Sequence, residues 1–548
     1  MLGRVLFLIC LLPSLFILSR LTGWVRNYFI ARETGLPLIL IPFSWQDPLW
    51  LIFRRHRLVS WLQHLPIGSR RWPNYTYTGW ALHDHHHTHA RLGDAFALVS
   101  PTMVLIMVAE PRAATEVFAK YKTWQRPKQL YCVFELFGPN VASVNGEDWQ
   151  RHRKVAARGF TEQNYELVWR SATKQARQMM DTIAAQQLTL KQMNDKISTL
   201  TMHVLSHAGF GHDYDFDRGV KEVPAGHGKS FADAMSHFLL NIILAFLLST
   251  LPVPERWMPA GWREIKASEY ELKMYFAENL QSETKGDLVA SIVEANAEAK
   301  KDASAAVESN SKSKSYLSDE EMYGNLFLLQ LAGFETTSSV LQLALARLGA
   351  MPDLQDWIRH DIDTDANKDT IGTYTDTFPR QTRCLALMYE VLRYYGSTPE
   401  LVRHSPHDET LTCGDRTIPV PAGVYVAANV PALHHNPLLW GDDISEFKPS
   451  RWIEHTPSSS TPSSGHHETL RDPPSSTLFI PWTTGPRICP GKKFSQVEFV
   501  AAVLGILSRC RIEASENMVR VLADYEFRVG LYPRDPERAW VKFVRREV

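Results

Sequence analysis

Pro481-Trp-Thr-Thr-Gly-Pro-Arg-Ile-Cys-Pro-Gly491 decides how the rest of the chain is read. Gly485, Arg487, Cys489 and Gly491 stand at alternate positions in it, and Phe494, Val497, Ala501, Leu504 and Leu507 follow at helical spacing. The spacing predicts a helix from about Gly491, with the cysteine just ahead of its N-terminus. A thiolate that binds a metal needs its negative charge stabilised. Backbone N–H groups of a tight turn and the positive end of a helix dipole supply that. Glycines let the backbone fold closely around sulfur, and Arg487 offers a forked donor to a carboxylate. A lone cysteine is usually a buried, inert side chain. This four-residue pattern, however, arises by chance on the order of once in a thousand chains of such composition, which favours a ligand loop.

Working outward, Cys10, Cys132, Cys384, Cys413 and Cys510 are widely scattered and form no CxxC or CxxCH. That argues against a zinc ribbon, against covalently attached heme and against a secreted disulfide framework. Reduced thiols facing the cytosol are expected. The 548 residues can bury a large core, and a formal net charge of zero gives no global pull toward nucleic acid. Val5 to Leu18 is almost wholly apolar between Arg4, Arg20 and Arg26. A cleaved signal peptide competes with an anchor here, but no small-x-small cleavage site follows Leu18. A second apolar stretch, Gly35 to Pro42, leads to Trp45 and Trp50, residues suited to a membrane interface. The expectation is an uncleaved membrane anchor at 1–30, in contact with lipid, and one domain at 31–548.

Residues 294–316 and 456–476 are polar and low in complexity, and read as surface loops. Ser318-Asp-Glu-Glu321 reads as a capping box. It opens a run, Met322 to Leu348, that is apolar almost all round and so central and buried. Ile418 to Val426 reads as strand, turn and strand. His83-Asp-His-His-His-Thr-His89 has the composition of a metal site, yet a solvated loop ahead of the strand Leu92 to Val99 is the plainer reading. Asn74-Tyr-Thr76 is a glycosylation sequon.

The cysteine loop resembles the heme-binding signature of the cytochrome P-450 family, with Trp482 where that family usually has Phe. Other motifs follow the family's order. Trp149-Gln-Arg-His-Arg153 is similar to its WxxxR helix. Ala332-Gly-Phe-Glu-Thr-Thr337 is similar to its oxygen-activation motif. Glu390-Val-Leu-Arg393 is an ExxR, and Phe447-Lys-Pro-Ser-Arg451-Trp452 resembles the second arginine-bearing motif. An ExxR alone occurs by chance about once in such a chain, so order and company give it value. Trp149 and Arg153 share a helix face; a solvated basic face is the plainer alternative. For Thr336 the alternative is a hydroxyl bonded back to its own helix.

The resemblance implies a mainly α fold with small β-sheets (α+β), and heme b (iron protoporphyrin IX) between the long helix and the cysteine-loop helix. Cys489 becomes the iron ligand, and Trp149, Arg153, Arg403 and Arg487 the donors to heme propionates. Gly333 would let the helix open beside dioxygen, Thr336 would donate a hydrogen bond there, and Glu335 would help deliver protons. Glu390, Arg393 and Arg451 would form a buried charged cluster. The implied reaction inserts one atom of dioxygen into a hydrophobic small molecule. Electrons would come from NADPH through a separate cytochrome P-450 reductase, since no flavin domain follows residue 548. Arg151, Lys154, Arg158, Lys492 and Lys493 would form its docking face. The endoplasmic reticulum membrane is the expected site, with the domain in the cytosol. The Trp-containing loop resembles members from filamentous fungi, many of which oxidise polyketides or terpenoids of secondary metabolism. A heme-thiolate isomerase or dehydratase, and a non-catalytic heme-binding membrane protein, are the alternatives; the Glu335–Thr336 pair speaks against both.

Overall fold

The computed structural model describes residues 2–45, 47, 50, 72–217, 222–250, 253–281, 287–307, 315–364, 371–396, 398–456, 467–473, 479–527 and 530–546. The chain is mainly helical with small sheets, as the motifs imply. It divides into two compact units, each assembled from separate stretches.

The first unit takes residues 1–130, 392–447 and 472–489. Its five-stranded sheet runs in the order Leu38–Leu40, Ala95–Val99, Val104–Val108, Tyr425–Asn429, Glu400–His404. Strand alternation sorts the side chains into two layers. Ala97, Val99, Ile106, Val108 and Val426 pack with Ala31 and Trp124, whereas Phe96, Leu98, Met107, Val402 and Ala427 pack with Trp72 and Trp80. The N-terminal helix covers Leu2–Glu33, and so runs past residue 30. Its last turns belong to the core. Trp24, Tyr28 and Ile30 pack against the first layer, and Asn27 Nδ2 donates to the Ser100 carbonyl at 2.9 Å.

Two expectations are corrected in this unit. Trp50 does not reach for an interface: it is buried in the second layer, stacked 4.7 Å from Phe43, with Nε1 donating to the Thr76 carbonyl at 2.7 Å. Gln46, Pro48 and Leu49 lie outside the described residues. The histidine run is not a solvated loop. It forms two short helical turns, Ala81–Asp84 and His87–Leu92. His89 is buried beside Phe96, and the His85 ring stacks on His435 at 4.0 Å. Apolar neighbours at Ala81, Leu82 and Phe96 carry these rings inward.

The second unit takes residues 131–391, 448–471 and 490–548. Its centre is the 32-residue helix Asp319–Ala350. Ser318 accepts from the Glu321 N–H, and the Glu321 carboxylate accepts from the Ser318 N–H at 2.7 Å, so two orphan donors of the first turn are satisfied together. From Thr337 to Gly349 every residue is buried, as an all-round apolar helix requires. Leu190–Phe210 packs against it where Gly333 leaves room; a methyl group there would stand 2.9 Å from Leu205 Cδ2. The cysteine-loop helix, Lys492–Leu507, lies on Glu162–Ile183, with Ala176 against Gly505. A C-terminal hairpin pairs Tyr525–Phe527 with Leu531–Pro533.

The two low-complexity stretches are not plain loops. Leu288–Val307 is a helix: its Ala, Glu and Lys are strong helix formers, and Leu288, Val289, Ile292 and Ala299 are buried. His467–Leu470 pairs antiparallel with Ile453–Thr456. Residues 308–314, 457–466 and 474–476 of these stretches lie outside the described residues.

Candidate heme-thiolate site

The cysteine loop belongs to the first unit, and its turns are held by its own backbone. Thr483 N–H donates to Ile480 O at 2.9 Å, Ile488 N–H to Gly485 O at 3.1 Å, and Cys489 N–H to Trp482 O at 3.0 Å. Ile480 anchors the entry among Phe118, Val430 and Leu433. Gly485 is needed twice over: its φ is +72°, and a Cβ would stand 2.9 Å from the Phe118 carbonyl oxygen. Thr483 also has a positive φ, 58°, and such strain in a non-glycine residue tends to mark a functional turn. Cys489 ends exposed. By contrast Cys384, Cys413 and Cys510 are buried. Burial pushes the Cys413 thiol up to about 12 and the other two upward as well, so none of these three is a ready thiolate.

Both arginines expected in this unit are buried. Arg403 donates from Nη1 to the Val402 carbonyl at 2.8 Å and lies 5.1 Å over the Phe118 ring. Phe118 therefore touches Arg403 with its ring and the cysteine loop with its backbone. Arg487 lies in the single 3-10 turn Gly485–Arg487. Arg393 donates to the Ile444 and Glu446 carbonyls, both at 3.0 Å, and to His434 O at 3.4 Å.

In the second unit, Glu390 is fully buried and accepts from Lys448 N at 2.8 Å, Trp452 Nε1 at 3.0 Å and Arg451 Nε at 3.2 Å. The ExxR acid is thus no surface ion pair. Trp149 is buried and Arg153 half-buried on the helix Gly146–Ala156. Arg151 does not fit the expected docking face. It makes a forked pair with Glu321, Nη1 to Oε2 at 2.8 Å and Nη2 to Oε1 at 2.7 Å, so its charge is already matched. Lys493 lies 4.1 Å over the Phe378 ring. Lys154 and Arg158 are exposed.

The long helix is unbroken through the oxygen motif, so the expected opening at Gly333 is not its resting form. Ala332 is nonetheless exposed and Gly333, Glu335 and Thr336 half-exposed, in a helix otherwise closed on its C-terminal side. Thr336 Oγ1 donates to Ala332 O at 2.7 Å, and Glu335 Oε1 accepts from the Tyr532 hydroxyl. Glu498 is a further acid that the sequence reading did not single out. It lies fully buried in the cysteine-loop helix, and burial pushes its carboxyl well above the ordinary range. The signal was present: Glu498 stands four residues after Phe494, on the apolar stripe.

The donor set suits heme. Within the first unit it holds an exposed cysteine on a glycine turn and two buried guanidinium groups. Fold and loop together define a heme-thiolate oxygenase. The chain belongs to the cytochrome P-450 family, whose model matches residues 68–534, and it is a monooxygenase of that family. It is similar to a cytochrome P-450 monooxygenase of Penicillium roqueforti, 29% identical over 92% of this chain and 90% of that one. It is also similar to the phomenoic acid biosynthesis cluster cytochrome P-450 monooxygenase of Leptosphaeria maculans, 28% identical over 93% and 92%. Among solved structures it matches a mutant cytochrome P-450 heme domain, with a TM-score of 0.66 and 19% identity over 88% of this chain and 97% of that one.

Proposed function

We propose that this monooxygenase oxidises a hydrophobic small molecule of fungal secondary metabolism, using electrons that a separate NADPH-dependent reductase supplies. The observation that carries the reading is Cys489, exposed on a turn that Gly485 and Thr483 hold in shape while the three buried cysteines are inert. Cys489 is the thiolate ligand of heme iron. Trp149, Arg153, Arg403 and Arg487 offer N–H donors to its propionates. Bound heme supplies the activation of dioxygen. Glu335 holds a proton for that chemistry and Thr336 directs it by hydrogen bonding; Glu498, in the cysteine-loop helix, is a separate buried acid. The name of the Leptosphaeria relative, from a phomenoic acid biosynthesis cluster, supports secondary metabolism as the setting.

The protein works at the endoplasmic reticulum membrane, with the catalytic part, which takes in the last turns of the N-terminal helix, facing the cytosol. Among the described residues no single helix is long and apolar enough to cross a membrane. Support for attachment comes from exposed apolar side chains. Leu15, Phe16, Ile17, Leu18, Leu21 and Val25 lie along the N-terminal helix, and Leu240, Ile243 and Trp257 form a further exposed set. Lys154 and Arg158 remain as charges for a reductase. The test is reconstitution of the heme-loaded protein with reductase and extracts of the producing fungus. Oxygenated product that requires both NADPH and reductase is expected. Product without either would point to an isomerase or dehydratase, and no product under any condition to a binding protein.

A further inference from the structure

Ala332, Glu335, Thr336 and Ser339 share one face of the long helix. The C-terminal hairpin covers part of it. Gly530 sits so close that a Cβ would stand 3.0 Å from Ser339 Cβ and Oγ and 3.1 Å from the Glu335 carbonyl oxygen. Two residues on, the Tyr532 hydroxyl donates to Glu335 Oε1. The hairpin register fixes that strand: Tyr525 pairs with Pro533, Glu526 with Tyr532 and Phe527 with Leu531. One end of the face is therefore closed by the hairpin, and the other, at Ala332, is open. Glu335 stands at the border. The Thr336 hydroxyl proton goes to Ala332 O at 2.7 Å rather than to this carboxylate.

We infer that Tyr532 is a positioning residue for Glu335: its phenol fixes the carboxylate at the edge of the open stretch, so that the acid delivers its proton from one place. The inference rests on the proposed proton-carrying role of Glu335. A carboxylate with a free χ3 is broad in orientation, and a hydrogen bond to a charged acceptor is among the stronger ones. Gly530 is what brings the hairpin near enough, so backbone fit and side-chain bond are two separate observations of one arrangement.

The test compares Tyr532→Phe, Glu335→Gln and the double variant, all full-length and heme-loaded. Cumene hydroperoxide is the probe, since it needs neither natural substrate nor reductase. Proton-assisted, two-electron scission of its O–O bond yields 2-phenyl-2-propanol; one-electron scission yields acetophenone. The alcohol-to-ketone ratio is expected to fall several-fold in each single variant and no further in the double, because Tyr532 acts through Glu335. A second readout does not depend on turnover. In protein labelled with ring-13C tyrosine and held as the diamagnetic reduced carbon monoxide complex, the signal absent from Tyr532→Phe should move in Glu335→Gln. A ratio that falls in Glu335→Gln but not in Tyr532→Phe overturns the inference and leaves the role of Glu335 standing. Additive losses, or an unmoved tyrosine signal, overturn it too. No change in either single variant removes the role of Glu335 and the inference with it.

Discussion

Thr336 spends its hydroxyl proton on the Ala332 carbonyl at 2.7 Å, a bond inside one helical turn. Such a bond contributes about 1 kcal/mol net. Ala332 is exposed, so water can replace the hydroxyl at its carbonyl. The side chain can therefore turn to another acceptor at little cost in stability. Thr336→Ala should leave heme content and the carbon monoxide spectrum normal. It should lower product formed per NADPH, with hydrogen peroxide making up the difference; a positioned acid–base group typically contributes on the order of a hundredfold. The product-to-NADPH ratio, with peroxide assayed in parallel, measures this. Unchanged coupling in a folded variant would leave Thr336 as a self-satisfied helix residue. At this scale the sequence shows motif residues and hides their partners. Glu335 and Thr336 could be singled out from six adjacent letters, whereas Tyr532 lies 197 positions from Glu335. Only a tertiary approach, made possible by Gly530, joins them.

Among the elements, the edge strand Glu400–His404 carries an acid in an unusual state. Glu400 is buried opposite Asn429, and neither carboxylate oxygen has a hydrogen-bond partner among the described residues. Burial raises its carboxyl from 4.5 to about 8. The folded chain thus holds this proton more tightly than the unfolded chain. Its contribution to stability is full below about pH 4.5 and is lost as pH rises to about 8. Glu400→Gln should flatten that dependence, by on the order of a few kcal/mol between pH 5 and 8. Urea midpoints of both proteins at the two pH values measure it, and an equal decline in the variant would assign the slope to other groups. The N-terminal helix gives a second prediction. Its exposed apolar side chains reach back to Leu15, but Trp24, Tyr28 and Ile30 are partly buried against the core. Deleting residues 2–18 should therefore lower the carbonate-resistant membrane fraction without loss of heme. Deleting 2–30 should also unfold the first unit in part, since each large core side chain lost costs roughly 2–5 kcal/mol. An unaltered membrane fraction after the shorter deletion would place attachment elsewhere. Elements were legible where periodicity or caps announced them, as at Ser318 and along Phe494 to Leu507. They were hidden where composition misleads: residues 294–316 look like a loop, but the alanines up to Val307 favour helix, and the histidine run looks polar but follows its apolar neighbours inward.

On the scale of the molecule, chain order and spatial grouping part company. Each unit collects three separate stretches, and the boundary between them falls at Cys489 and again inside the ExxR helix. Neither point is marked as a boundary in the sequence: one lies inside a continuous helix and the other within a single short motif. What the sequence does carry is the order of the motifs from Trp149 to Cys489. That order was enough to imply family, fold class and cofactor, because each motif is short and chemically constrained. The substrate is not written in this way, since a hydrophobic pocket is built from residues that many sequences can supply. The central claim is that Cys489 supplies the thiolate to heme iron. Its most direct test is the absorption spectrum of the reduced carbon monoxide complex in Cys489→Ser. The red-shifted Soret band of a thiolate-bound heme should appear in the parent protein and vanish in the variant. A variant that retained that band would show that another residue binds the iron.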